Sequence, residues 1–157
     1  MKIKLFALVM LLIGAALVIT GCGSNAQAST DVAPKEVVER FYAPYATFRA
    51  DPTAEFSNLL GSKAYRESDD LSEGFIQKVD EIVASFDKGA YDPFLCAQDI
   101  PGEFRFDAAD VSDDGQTARV VMHEVWNPNT EYEDVHDVDV ELALVDGAWK
   151  ISDVICR

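Results

Sequence analysis

Apolar positions along the chain fall into three regimes, and each predicts a different element. From Leu5 to Ile19 no charged or polar side chain interrupts the run, and Lys2 and Lys4 precede it. From Pro34 the apolar residues Val37, Val38, Phe41, Tyr45 and Phe48 recur at three- to four-residue intervals, which places one stripe on a helix. Pro44 should kink that helix or end it a turn early, since proline lacks the amide donor needed inside a helix. Residues 51 to 70 are mixed, with Phe56, Leu59, Leu60 and Tyr65 predicting a short helical segment. Ser72 then supplies a helix cap, and Phe75, Ile76, Val79, Ile82, Val83 and Phe86 repeat with helical period towards a stop at Gly89.

After residue 102 the period falls to two. Phe104 and Phe106 alternate with charged residues, Asp113-Asp114-Gly115 supplies a hairpin turn, and Thr117 to Trp126 reads as a strand. Asn127-Pro128-Asn129 breaks the chain. Val138, Val140, Leu142 and Leu144 then point one way while Asp137, Asp139 and Glu141 point the other, giving one buried and one wet face. Asp146-Gly147 turns the chain into a last strand carrying Trp149 and Ile151 on a shared face. Helices followed by antiparallel strands predict an α+β domain with the helices on one side of the sheet. Phe41, Tyr45, Phe75, Val79, Ile82, Val140, Leu142, Trp149 and Ile151 are the expected common core.

The amino-terminal pattern has the layout of an export signal: positive start, apolar run, then small residues before Cys22. Its end, Ile19-Thr20-Gly21-Cys22, resembles the lipobox of bacterial lipoproteins. That resemblance implies cleavage before Cys22 and lipid, palmitate included, on that cysteine. The alternative, an uncleaved membrane helix, is disfavoured because the apolar stretch falls short of the ~20 residues that span a bilayer. The expected organisation is a signal peptide over 1–21, a lipidated flexible tether over 22–30, and one domain over 31–157. The expected location is the cell envelope, anchored to the lipid bilayer through Cys22 and facing away from the cytoplasm.

Removing the signal leaves 11 basic and 28 acidic residues, a balance of 11 − 28 = −17. Such an excess argues against nucleic acid, which needs basic surface, and leaves room for a cationic partner. Beyond Cys22 the cysteines are Cys96 and Cys156, which in an exported protein form one expected disulfide.

Three stretches carry a wider resemblance: Pro34-Lys35-Glu36-Val37-Val38 leading to Phe41-Tyr42, then Asp92 to Asp99, then Trp149-Lys150-Ile151-Ser152-Asp153-Val154. Together they resemble a family of small bacterial lipoproteins carrying a domain of unknown function. That family is similar to the nuclear-transport-factor-two-like superfamily, whose curved antiparallel sheet wraps helices into a cone. The resemblance implies a fold and an exported location and brings no reaction with it.

Motifs for common chemistry are sparse. Asp110 to Gly115 begins like a calcium loop, but the twelfth position is Val121 in place of a bidentate Glu. Asp134, His136, Asp137, Asp139 and Glu141 are divided between two strand faces, and no zinc-like histidine spacing accompanies them, so no metal and no cofactor is expected. Hydrolase, nucleotide and metalloprotease signatures are absent. A general acid/base site in a cone pocket would draw on Tyr42, Tyr45, Asp99, His123 and Trp126, although alternation puts His123 and Trp126 on opposite faces. The expected function is therefore binding, of a small apolar ligand in the cone or of an envelope protein. An isomerase- or hydratase-like enzyme using Tyr42 or Tyr45 with Asp99 is the alternative, and a modest apolar cavity is expected near the two tyrosines.

Overall fold

A five-stranded antiparallel sheet, left open at both edges, carries all the helices on one face. The computed structural model describes residues 32–50, 59–86 and 91–157. Cys22, Phe56 and Gly89, with the signal and tether, lie outside them. The α-helices are α1 (Pro34–Ala50), α2 (Leu59–Ser62) and α3 (Glu73–Ala84), with a 3₁₀ turn at Ala64–Glu67. The strands are β1 (Glu103–Phe106), β2 (Asp110–Val111), β3 (Thr117–Trp126), β4 (Asp134–Val145) and β5 (Ala148–Cys156). They pair in the order β1-β3-β4-β5, with β2 also on β3. The predicted α+β class is the observed one.

Local chemistry accounts for the boundaries. Ser72 caps α3 by accepting the Phe75 amide at 3.2 Å. The helix closes at Ala84, where the Ser85 amide folds back onto Glu81 and Ile82, a turn before the expected stop. Pro44 does not end α1 a turn early, one of the two outcomes expected of it. Its ring sits on the exposed side, where water can satisfy the carbonyl that loses its usual donor. At the β4–β5 hairpin both turn residues, Asp146 (φ 51°) and Gly147 (φ 82°), take the left-handed conformation that matches strand twist. Gly102 is required by a close approach, because a Cβ there would meet the Pro128 ring at 2.4 Å.

Alternation along β3 and β4 buries Ala118, Val120 and Met122 against Val138, Val140 and Leu142. Val37, Val38, Phe41, Tyr42 and Tyr45 of α1, with Phe75 and Val79 of α3, close over them. Eight of the nine expected core residues join this cluster. Ile82 is only half-buried, because α3 packs through Phe75 and Val79 and leaves its last turn at the rim.

The interior is aromatic and filled. Phe94, fully buried, meets Phe41 at 5.1 Å, Tyr65 at 5.8 Å and Phe75 at 5.9 Å, while Tyr42 lies against Phe104 and Phe106. An internal cavity beside Tyr42 is therefore not what the fold provides. Space beside Tyr45 takes the form of an open groove of about 540 Å³ walled by Phe48, Val83, Phe86 and Leu95.

Cys96 and Cys156 are joined, with Cα atoms 5.6 Å apart and a sequence separation of 60. Closing a loop of that length stabilises by on the order of 4 kcal/mol in the chain-entropy picture, an upper figure. Replacing both cysteines by alanine is expected to lower the unfolding free energy by up to that amount in urea titrations, and reductant should reproduce the loss in the unmodified protein.

Candidate functional site

The inner face of β3 does not stay apolar to its end. After Ala118, Val120 and Met122 the next inward position is Glu124, 1 % exposed, and the one after that is Trp126. Directly across from Glu124 lie Phe104 on β1 and His136 on β4. Its Oε1 has no hydrogen-bond partner among the described residues, nor has the indole Nε1 of Trp126. Loss of hydration, reinforced by the charge of Asp92, pushes the Glu124 carboxyl up to about 8.

Asp92, by contrast, is well supplied. Its Oδ1 accepts the Phe94 amide at 2.8 Å and its Oδ2 accepts the Tyr45 hydroxyl at 2.9 Å. Burial still raises this carboxyl, against the opposing effect of those bonds. The Tyr42 hydroxyl donates to the Phe94 carbonyl at 2.6 Å. Burial drives both phenols far above their ordinary range, and the nearby Asp92 adds to it. Both tyrosines are thus neutral donors that pin α1 to the turn at residues 92–95, and neither is poised to exchange a proton at neutral pH.

The acid expected beside the tyrosines was Asp99. It is exposed and accepts the Ile100 amide at 2.8 Å, lining only the outer part of the groove by Tyr45. Asp92 takes the place proposed for it, so the Tyr–Asp99 pair of the enzyme alternative is not assembled. His123 lies on the outer face, opposite Trp126, as alternation predicted. Its Nδ1 is 2.7 Å from Asp137 Oδ1 and its Nε2 is 3.3 Å from Asp107 Oδ1. Hydrogen bonding to Asp137, then to Asp107, raises the imidazole above its ordinary value despite partial burial.

Glu124 is the residue that sequence reasoning missed. The signal was available, since Met122 and Trp126 share a face and the residue between them at period two must share it as well. Glu124 lines a groove of about 520 Å³ together with the Cys96–Cys156 disulfide, Val135, His136, Asp137, Val138 and Arg157. Among the described residues no group of three or more His, Cys, Asp or Glu side chains is placed to hold a metal ion.

No protein-family profile and no curated protein matches the chain. Two solved structures are similar in fold. One is a protein of unknown function from Bacteroides thetaiotaomicron VPI-5482, 24% identical, with a TM-score of 0.50 over 78% of this chain and 88% of that one. The other is a chain of the type VI native effector–immunity complex Tae3–Tai3 from Ralstonia pickettii, 20% identical, with a TM-score of 0.54 over 80% and 95%. At these identities the likeness is one of fold.

Glu124 should leave a mark on stability. A carboxyl raised in the folded state binds a proton there that the unfolded chain has already released, so stability falls as pH rises from the ordinary glutamate range to about 8. The slope this group contributes approaches about 1.4 kcal/mol per pH unit at most. Glu124→Gln is expected to flatten that part of the profile and to stabilise the protein at pH 8, as read by urea unfolding at pH 5, 6.5 and 8.

Proposed function

We propose that this chain is an exported lipoprotein, anchored through Cys22, whose domain binds another protein of the cell envelope through the outer face of its sheet. The observation that carries the reading is that face itself. Among the described residues all helices pack on the inner side, leaving Val121, His123, Asp137, Asp139, Glu141 and Ile155 half-buried or exposed, with Arg119 beside Glu141, while Asp153 is held by Lys78 of α3. It mixes carboxylates with apolar side chains, of which Ile155 is 41 % exposed, and so suits a partner with basic and apolar surface.

Strand addition at the β5 edge is a weaker route to binding. The segment before α3 already occupies part of that edge, with the Ser72 amide on the Ile151 carbonyl at 2.9 Å and the Ile151 amide on the Asp70 carbonyl at 2.8 Å. Fold similarity to a chain of an effector–immunity complex, an assembly of two proteins, supports a protein partner. The disulfide is of the kind that persists outside the reducing cytoplasm. No helix among the described residues is long and apolar enough to cross a membrane. The anchor in this reading is lipid on Cys22. Membership of the nuclear-transport-factor-two-like superfamily remains part of the proposal. The groove beside Tyr45, with mostly apolar walls, favours a small apolar ligand as the second reading.

Cys22→Ser is expected to give unprocessed or released protein in membrane fractionation, and cleaved mutant that still sediments with membranes would refute the anchor. For the binding face, a photo-crosslinking amino acid at Glu141 or Ile155 should yield one adduct of defined mass in the host envelope. The same group at Gln77 or Glu81 on α3 should yield none. Equal adducts from both sides, or none from either, would refute outer-face binding.

A further inference from the structure

Glu124 is a buried carboxyl with an unpartnered oxygen, and it does not face a closed core. It forms part of the wall of the groove at the end of the inner sheet face, beside the Cys96–Cys156 disulfide. Val135, Val138 and the disulfide supply its apolar lining. Titratable groups facing Glu124 come from each neighbouring element: Tyr42 of α1, Asp92 of the turn, and His136 across on β4, while β1 presents the uncharged Phe104. Asp137 adds a further carboxylate to the groove. Arg157 also lines the groove, but its guanidinium is held by Asp139 at 2.6 Å and lies 3.8 Å from Asp137.

A buried carboxyl kept without a counter-charge destabilises a fold, and replacement by an apolar residue of similar volume would remove the cost. Glu124 is left without a counter-charge in a groove of mixed lining that also offers Val135, Val138 and the disulfide, which matches one occupant chemistry. We propose that this groove is a binding site for a primary ammonium group on a slim aliphatic stem, with Glu124 as its counter-ion and the stem lying on Val135, Val138 and the disulfide. Glu124 itself faces the inner side of the sheet, Asp137 belongs both to this groove and to the proposed protein-binding face, and the amine site is tested without any protein partner.

The test titrates n-butylammonium chloride into the purified protein and follows the amide signals of Cys96, Glu124 and Val138, and the indole signal of Trp126, by NMR. Sodium chloride at equal concentration and 1-butanol are the controls. Saturable shifts at these four signals are expected with butylammonium alone. Because only ionised Glu124 binds, and its proton leaves near pH 8, apparent affinity should rise about twentyfold between pH 6.5 and 8.5. Glu124→Gln should abolish the shifts. A response equal to that of sodium chloride, binding by 1-butanol as strong as by the amine, or an affinity unchanged across this pH range in the unmodified protein would each overturn the site. The pH comparison needs no variant, so it decides the matter even if Glu124→Gln folds poorly.

Discussion

The hydrogen bonds buried around Asp92 hold the two halves of this molecule together. The Asp92 amide reaches the Ala97 carbonyl at 2.7 Å, its carboxyl caps the Phe94 amide and receives Tyr45, and Tyr42 takes the Phe94 carbonyl. Tyrosine brings apolar area and one polar end, and here both phenols from α1 spend that end on the same turn. The turn in return projects Phe94 between α1, α3 and the 3₁₀ segment and sends Cys96 to the end of β5. Besides this hub, α1 is oriented on the sheet by Lys35 over the Phe106 ring and by Arg40 on Asp70, whose carbonyl accepts the Ile151 amide.

That arrangement explains which parts of the structure were legible in the sequence. Period-two and period-3.6 patterns are local, so β3, β4, β5 and α3 follow from residues within each element, Ser72 and Asp146-Gly147 included. The role of Asp92 is not local. Followed by proline, it has the sequence appearance of a turn marker, and only the approach of Tyr45 from 47 residues earlier shows it to be the hub. Asp99 looked the better acid because nothing in a linear chain ranks two carboxylates seven positions apart by depth. Pro44 misled for a related reason: its effect depends on whether the interrupted carbonyl faces water or protein, which a periodic pattern alone does not settle.

Glu124 is a different kind of omission. Its position was deducible from the alternation that placed Met122 and Trp126, yet a charged residue at an inward site conflicts with the pattern that defines the strand. Such local conflicts are where a fold and its function part company, since a core selected only for stability would carry an apolar residue there. The acidic outer face poses the opposite problem. Its residues were assigned to the correct side from sequence, and their abundance on a solvated face gives no hint of which carry a function.

The bond between Cys96 and Cys156 has a topological meaning apart from its energy. Every strand, from Glu103 to Cys156, lies within the loop it closes. The sheet is therefore a covalent ring, with the helices attached as a tail on one side. A protease that opens any one hairpin produces a nicked molecule that is still a single covalent piece, free to re-form its ladder. A pull applied through the amino-terminal side of α1 can lengthen only the helical portion before meeting the crosslink. The ring leaves the strands in place after damage or strain that would shed them from an open chain.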